Sequence, residues 1–393
     1  MADAPFQSLN QMVLAKEEAS PGVDSAPTPA ANAVLVENPS WTPTLNTVNT
    51  NEVTGSLDAR EPRPGSASGA MSFDVYLKGG GGGDGAIPPE FGPLLKACGF
   101  AETINATAVT GTAAAGATGS ITLAAGASAV NNFYRGFVIQ TSGGAGSGQT
   151  RMIAAYNGTT KVATVTPEWD VAPDDTTEYT IPKQVRYSPS SSNIPTLSMY
   201  RYFIPSDNGD ARLERLLGAA GNVRMSLSPS ELPRFSFEFQ GQLAAPADVA
   251  KPDPAVYSTA QGYPWIDAEV WQDNNSLAAS TIELDLGNEV NLLPDPRQVY
   301  GFQTAGITRR RVAGRLSLPL DRVNNRNVIS SWAAGTAYKL ATWWGPSAGQ
   351  RFAILLPSMI FTGMTAEDVQ GYAYEGIPFN ATGADASAFL VTW

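Results

Sequence analysis

Apolar and polar residues alternate at period two over several short stretches, the spacing of strands that bury one face. Residues 71–77 and 312–318 alternate in this way, and residues 234–239 set Phe235, Phe237 and Phe239 on one side. Further strands are predicted at 33–36, 197–203, 212–217, 223–227 and 282–286, with weaker alternation over 42–53. Pro62, Pro64 and Gly65 read as a break, and so does Gly218-Ala219-Ala220-Gly221. Asp207-Asn208-Gly209-Asp210 reads as a turn, and Pro229-Ser230 as the joint between two strands. One short helix stands out. Pro88 and Pro89 open it, Gly99 closes it, and Phe91, Leu94, Leu95 and Cys98 share a face. Cys98 is thereby predicted to be a core thiol.

Residues 104–186 differ in character. Ala, Gly and Thr dominate, short apolar runs recur at intervals of roughly 8–15 residues, and Asn157-Gly158 signals a hairpin. This is the pattern of a small separate β unit. Residues 1–33, polar with Pro21, Pro27 and Pro29, read as an extended arm with little structure of its own, free or held by a neighbouring subunit. Residues 244–263, rich in Pro and Ala, read as a linker. The glycine run 79–83 reads as a flexible connection, since no Gly-Lys-Ser/Thr ends it as in a phosphate loop.

The order of elements repeats. A strand and loop (42–65), a strand (71–77), a helix (89–98) and strands at 197–203, 212–217, 223–227 and 234–239 come first. A strand and loop (281–300), a strand (312–318), a helix (325–333) and strands at 338–344, 351–355, 358–362 and 371–376 follow. The expected fold is mainly β: two tandem β-sandwich or barrel domains, each with a short flanking helix, plus an inserted small β-barrel or sandwich. The expected boundaries are 1–33 for the arm, 34–103 with 187–245 for the first domain and 104–186 for the insert. Residues 246–264 are the linker and 265–393 the second domain. A ring that needs six such domains needs only three fused pairs.

Composition narrows the chemistry. Of 393 residues, 43% are hydrophobic and 16% charged, against about 25% charged in ordinary soluble proteins. A surface so poor in charge suits a subunit that buries much of its exterior against neighbours. Lys+Arg total 25 and Asp+Glu 36, a net charge of −11, the wrong sign for gripping nucleic acid by its phosphates. Histidine is absent, which removes the commonest general base and metal ligand. A single cysteine excludes an internal disulfide or a CxxC zinc site. Asp170, Asp174, Asp175 and Glu178 do not have EF-hand spacing and read as a solvated acidic loop. The glycines of 143–148 precede no helix, so they read as a hairpin loop and not a dinucleotide site. An Asp/Glu pair is the surviving catalytic option, and the spacing of Glu231, Asp285 and Glu289 does not recommend one. No cofactor, metal or catalytic residue is expected. No apolar run reaches about 18 residues, and residues 1–16 lack the features of a signal peptide. A cytosolic product that stays soluble until assembly is expected.

Certain segments carry a further reading. They are Leu14-Ala15-Lys16-Glu17-Glu18 with Ser20-Pro21-Gly22-Val23-Asp24, then Asn38-Pro39, residues 90–103, residues 233–241, and Leu284-Asp285-Leu286-Gly287-Asn288-Glu289-Val290. Together they resemble the major tail tube proteins of long-tailed, siphovirus-type bacteriophages, most specifically at 90–103. The resemblance implies two packed antiparallel sheets with a flanking helix per tube domain. It implies an inner barrel closed by strands of neighbouring subunits, which pairs the open edges. It implies stacked rings, here trimers with pseudo-sixfold symmetry, in a virion tail assembled in the host cytoplasm. Double-stranded DNA would pass through the lumen without specific binding, and an acidic wall would not hold it. The implied partners are further copies of the chain, a tape-measure protein inside, and terminator and distal tail proteins at the ends. The loop at 54–70 is of the kind that reaches the adjacent ring, which makes Arg60, Glu61 and Arg63 candidates for inter-ring or inter-subunit contacts. The insert resembles small Ala/Gly/Thr-rich modules of other phage structural proteins. Two alternatives are a β-rich surface adhesin or other virion decoration protein, and a glycan-active enzyme with an Asp/Glu pair.

Overall fold

The computed structural model describes residues 6–50, 52–58, 60–207, 209–229 and 231–393. Asn208 of the predicted turn and Ser230 of the predicted joint lie outside the described residues, as do the first five residues of the predicted arm.

Strand β1 (Gln11–Glu17), the one-turn helix α1 (Pro29–Asn32) and β2 (Ala33–Val34) lead into a long hairpin of β3 (Glu37–Val48) and β4 (Arg63–Tyr76). Helix α2 (Gly92–Ala97) and β5 (Phe100–Asn105) follow. Next come β6 (Val109–Thr112), β7 (Ala115–Ala117), β8 (Ser120–Thr122), β9 (Val138–Gly143), β10 (Thr150–Asn157), β11 (Val162–Thr166) and β12 (Glu178–Ile181). Then β13 (Gln184–Pro189), β14 (Leu197–Phe203), β15 (Ala211–Leu227) and β16 (Arg234–Val249) complete the first part. The second part holds β17 (Glu269–Gln272), β18 (Asn275–Ser276), β19 (Thr281–Asp285), β20 (Asn288–Pro294), β21 (Phe302–Arg310) and β22 (Ala313–Pro319). Helix α3 (Val328–Ala334), β23 (Ala337–Trp344), β24 (Phe352–Phe361), β25 (Thr365–Val369), β26 (Tyr372–Ala381) and β27 (Phe389–Thr392) close the chain.

Two runs of antiparallel pairing have the same order. The first is β3–β4–β16–β15–β14–β1. The second is β19–β22–β26–β24–β23–β17. A helix follows the second strand of the order in both, α2 after β4 and α3 after β22. The runs join where the C-terminal half of β15 pairs with β19, from Arg224↔Asp285 to Leu227↔Ile282. One continuous antiparallel sheet results: β3–β4–β16–β15–β19–β22–β26–β25. The N-terminal half of β15 instead pairs with β14, so this strand serves two layers.

The main core fills the space between the layers. Phe73, Phe237 and Phe239 stack there, with Phe237 and Phe239 ring centroids 5.8 Å apart. Helix α2 seats Leu94, Leu95 and Cys98 in the same core, and Phe91 meets Phe235 edge-on at 5.1 Å. The helix stops where predicted, at Gly99 with φ +84°.

Strands β6–β12 form a separate seven-stranded sheet around Phe137, Ile153, Trp169 and Tyr179. It is carried on a stem of paired strands, β5 and β13, in register from Phe100↔Pro189 to Asn105↔Gln184. Its Val138 and Met152 pack on Ala353, Leu355, Phe389 and Val391 of the second part. Arg186, within the stem strand β13, donates to the carbonyls of Phe133 and Arg135 at 3.2 and 2.6 Å. Burial pushes its guanidinium down to about 10.

Five expectations need correction. The segment read as an arm supplies β1, which lies between β14 and β2 with Val13, Leu14 and Ala15 buried. Polar flanks had hidden a four-residue apolar run. The break expected at residues 218–221 is a bulge inside one 17-residue strand, β15, whose register slips between Leu217 and Ala220. Pro64 and Gly65 lie within β4, in the outer arm of the hairpin, where β4 pairs with β3. The linker is not free chain: β16 runs to Val249, and Ala255 and Tyr257 then pack on the cluster of Met12, Tyr200 and Leu213. The glycine run is not slack at its start. Gly79 is buried, and a Cβ there would fall 1.7 Å from the carbonyl oxygen of Gly349.

Glu18 holds the bulge of β15. Its Oε1 accepts from the Gly218 N–H and the Ser198 hydroxyl, both at 2.8 Å, and its Oε2 from the Thr196 hydroxyl and the Gly22 N–H, both at 2.6 Å. Gly218 has φ +57°, which a side chain would strain. Glu18→Ala orphans these donors and is expected to destabilise the subunit by about 3 kcal/mol in denaturant unfolding. Glu17→Ala, which removes only a half-exposed pair with Lys96, should cost less than about 1 kcal/mol.

Candidate functional site

Alternation along the eight-stranded sheet sorts side chains by chemistry. Met71, Phe73 and Val75 of β4, and Val223, Met225 and Leu227 of β15, face the core. Their neighbours Ser72, Asp74, Asn222 and Arg224 face the other way, as do Ser236 and Glu238 of β16. Glu283, Asp285 and Arg315 extend the same surface across β19 and β22. The result is a broad polar face on one side of a hydrophobic core.

Its charges are largely paired. Asp285 accepts from Asn222 Nδ2, Arg224 Nε and the Gly287 N–H, each at 2.8 Å. Arg315 pairs with Glu367, which also accepts from the Ser317 hydroxyl at 2.6 Å. The Ser317 bond and the arginine hold the Glu367 carboxyl below its ordinary range. Asp74 accepts from the Ser236 hydroxyl at 2.6 Å. Arg224 and Arg315 are thus each neutralised by a carboxylate, while Asp74, Glu238 and Glu283 add negative charge beside the exposed Arg234. Such a surface is wetted and carries an acidic surplus.

The two halves are fastened across this sheet by residues that sequence reasoning did not single out. The Asn288 side chain donates to the carbonyls of Cys98 at 2.7 Å and Gly221 at 3.0 Å. Arg310 donates to the carbonyls of Gly99 and Ser190, both at 2.8 Å. The β20–β21 ladder lies over β15, where the Thr304 hydroxyl donates to the Gly218 carbonyl at 3.1 Å. A signal was available in part, because Glu18 and Asn288 both lie in the segments that carry the family resemblance.

The sequence candidates are placed as follows. Arg60, Glu61 and Arg63 are exposed at the tip of the β3–β4 hairpin. Arg60 pairs with Glu52 across the tip, and Arg63 opens β4 opposite Val48. The structure brings the three to one end of the hairpin. Cys98 is fully buried, and burial pushes its thiol well above the usual range. Asp170 pairs with Arg151 at 3.0 Å, and Asp174 accepts from the Thr176 hydroxyl and N–H, which hold its carboxyl low. Among the described residues no group of three or more His, Cys, Asp or Glu is arranged to hold a metal ion. Glycines 143–148 turn between β9 and β10. Glu231 and Glu289 are exposed, and Asp285 is occupied as above. Among the described residues no helix is long and apolar enough to cross a membrane.

No curated protein matches the chain. The family described as phage tail tube protein matches it over residues 8–383, nearly the whole length and both pairing runs, and the chain belongs to that family.

Proposed function

We propose that the chain builds the tail tube as trimeric rings with pseudo-sixfold symmetry, stacked into a hollow conduit that carries double-stranded DNA from capsid to host. The repeated pairing order supports this reading: each run is one tube domain, so the subunit holds two in tandem. The first domain is 34–103 with 187–245, completed by β1 and the end of β16, the second is 265–393, and 104–186 is the insert. Three chains then present six domains. The polar face of the long sheet lines the lumen, where its acidic surplus lets DNA slide. The insert hangs from the β5–β13 stem, away from the polar strands, and sits on the outside of the tube. The β3–β4 tip with Arg60, Glu61 and Arg63 reaches toward the next ring. The tape-measure protein occupies the lumen before DNA does, and terminator and distal proteins cap the ends.

Symmetry analysis of assembled tubes by electron microscopy is expected to give three chains per ring, and six would overturn the tandem reading. Replacing residues 106–183 by a short turn between β5 and β13 is expected to leave tubes intact by the same imaging. Failure of that variant to assemble, with its fold retained, would show that the insert is part of the tube wall. Glu238→Lys combined with Glu283→Lys should still give tubes, but tubes that retain DNA at low salt and release it as salt rises. Tubes indifferent to DNA would count against this face as the lumen.

A further inference from the structure

We propose that the junction inside the chain is the template for the junction between chains. The β3–β4 hairpin of one copy docks on β24–β26 of the next, as the β19–β22 hairpin with its β20–β21 extension docks on β15 and β16. The proposal rests on the ring reading and names the surfaces that close the ring.

Two free edges motivate it. Among the described residues β3 pairs only with β4, and β25 only with β26. These are the two ends of the long sheet. Within the chain, the counterpart of β3 is β19, and its outer edge is taken by β15. The counterpart of the C-terminal half of β15 is β25, whose outer edge is open. Completing the repeat therefore requires β25 of one molecule to meet β3 of another.

Irregularities in the ladders fix the equivalence. β15 slips against β16 between the pairs Leu217↔Gln242 and Ala220↔Gln240. The chain β24–β25 slips against β26 between Phe361↔Phe379 and Thr365↔Gly376. Each slip adds one residue, and each contains a glycine, Gly218 or Gly363. On the other side, β3 slips against β4 between Leu45 and Thr47, where the second half breaks between Asp285 and Asn288. Counting outward from these landmarks, Asn46 stands where Asp285 does, and Val369 where Arg224 does. The bonded pair Arg224–Asp285 thus predicts Val369 of one copy opposite Asn46 of the next.

The surfaces fit in chemistry. The β20–β21 extension buries Ala305 against the first half. The corresponding arm of β3–β4 leaves Leu45 66% and Val48 54% exposed, with Val53 and Leu57 bare at the tip. The receiving strands show Met364, 41% exposed beside Gly363, and Tyr372, 73% exposed opposite Val369. An apolar arm and exposed apolar side chains at both ends of the open β25 edge, which do not meet within one chain, point to a second copy as occupant.

The test is a double variant, Asn46→Cys with Val369→Cys, in tubes and in dilute subunits; Cys98 is fully buried and stays silent. Antiparallel neighbours stand about 4.5–5.5 Å apart at Cα, within disulfide reach. Mild oxidation of tubes is expected to link chains into dimers and closed trimers on a non-reducing gel, and dilute subunits should stay unlinked. Normal rings whose chains stay unlinked would overturn this junction and leave the ring reading standing. Wild-type protein that forms no rings would overturn both. A second variant, Leu45→Asp with Val48→Asp, changes exposed positions and should leave the melting of dilute subunits unchanged. It should raise the concentration needed for assembly by at least about tenfold, and unchanged assembly would overturn the proposal.

Discussion

A strand that belongs to two layers is the constraint on which this structure depends. Over its N-terminal half β15 bonds β14, and over its C-terminal half it bonds β19. A regular strand of that length would run straight through one sheet and leave the other layer without a wall. The bulge at Gly218 turns the strand between the layers, and a bulge exposes backbone N–H groups that need acceptors. The Glu18 carboxylate supplies one of them and ties β1 and β14 to the same point. The main core lies in the space this turn creates.

How much of this was legible in the sequence follows from the range of the interactions. Stripes such as Phe235, Phe237 and Phe239 and the helix of Leu94 and Leu95 were plain, because period and caps are local signals. Helix α2 and the strands at 71–77 and 312–318 are where the pattern put them. The 17-residue reach of β15 was not, because Gly218 and Gly221 look like a stop until a distant carboxylate is seen to hold the turn. The hairpin β20–β21 was missed for a related reason. Its residues alternate weakly and include Pro294 and Pro296, and its stability comes from lying over β15 of the other half. The polar face could be read only as every second residue of separate strands. That these strands form one surface depends on pairings between residues far apart in the chain. The tip residues Arg60, Glu61 and Arg63 were singled out only through the loop at 54–70 that the family resemblance supplied, and their gathering at one end follows from the geometry of the β3–β4 hairpin.

Charge and the proposed function are connected through that face. With 16% charged residues, the chain has few charges to place, and it places several of them here in pairs. An arginine held by Asp285 or Glu367 contributes hydrogen bonds to the wall but little net field at a distance. The unpaired surplus is acidic. As the wall of the proposed lumen it would need this combination, because isolated arginines would trap phosphates and an apolar wall would not stay wet.

Fusing the two runs changes how such a ring assembles. In a ring of six separate domains every junction forms by a bimolecular encounter. In the proposed ring of three chains, half of the junctions are already made inside the subunit. A tethered junction forms at the high effective concentration set by a short connection, here a segment packed on its own domain through Ala255 and Tyr257. The remaining junctions stay dependent on concentration, so the subunit can be a folded monomer when dilute and a ring when concentrated. The two kinds of junction are also free to diverge. The internal one carries the compact β20–β21 ladder, fastened by Thr304, Asn288 and Arg310. The external one carries the longer β3–β4 hairpin, whose tip extends past the sheet. In the proposed tube, reach along the axis is then available at three positions of the ring and not at six, so that threefold, not sixfold, order would govern how one ring sits on the next.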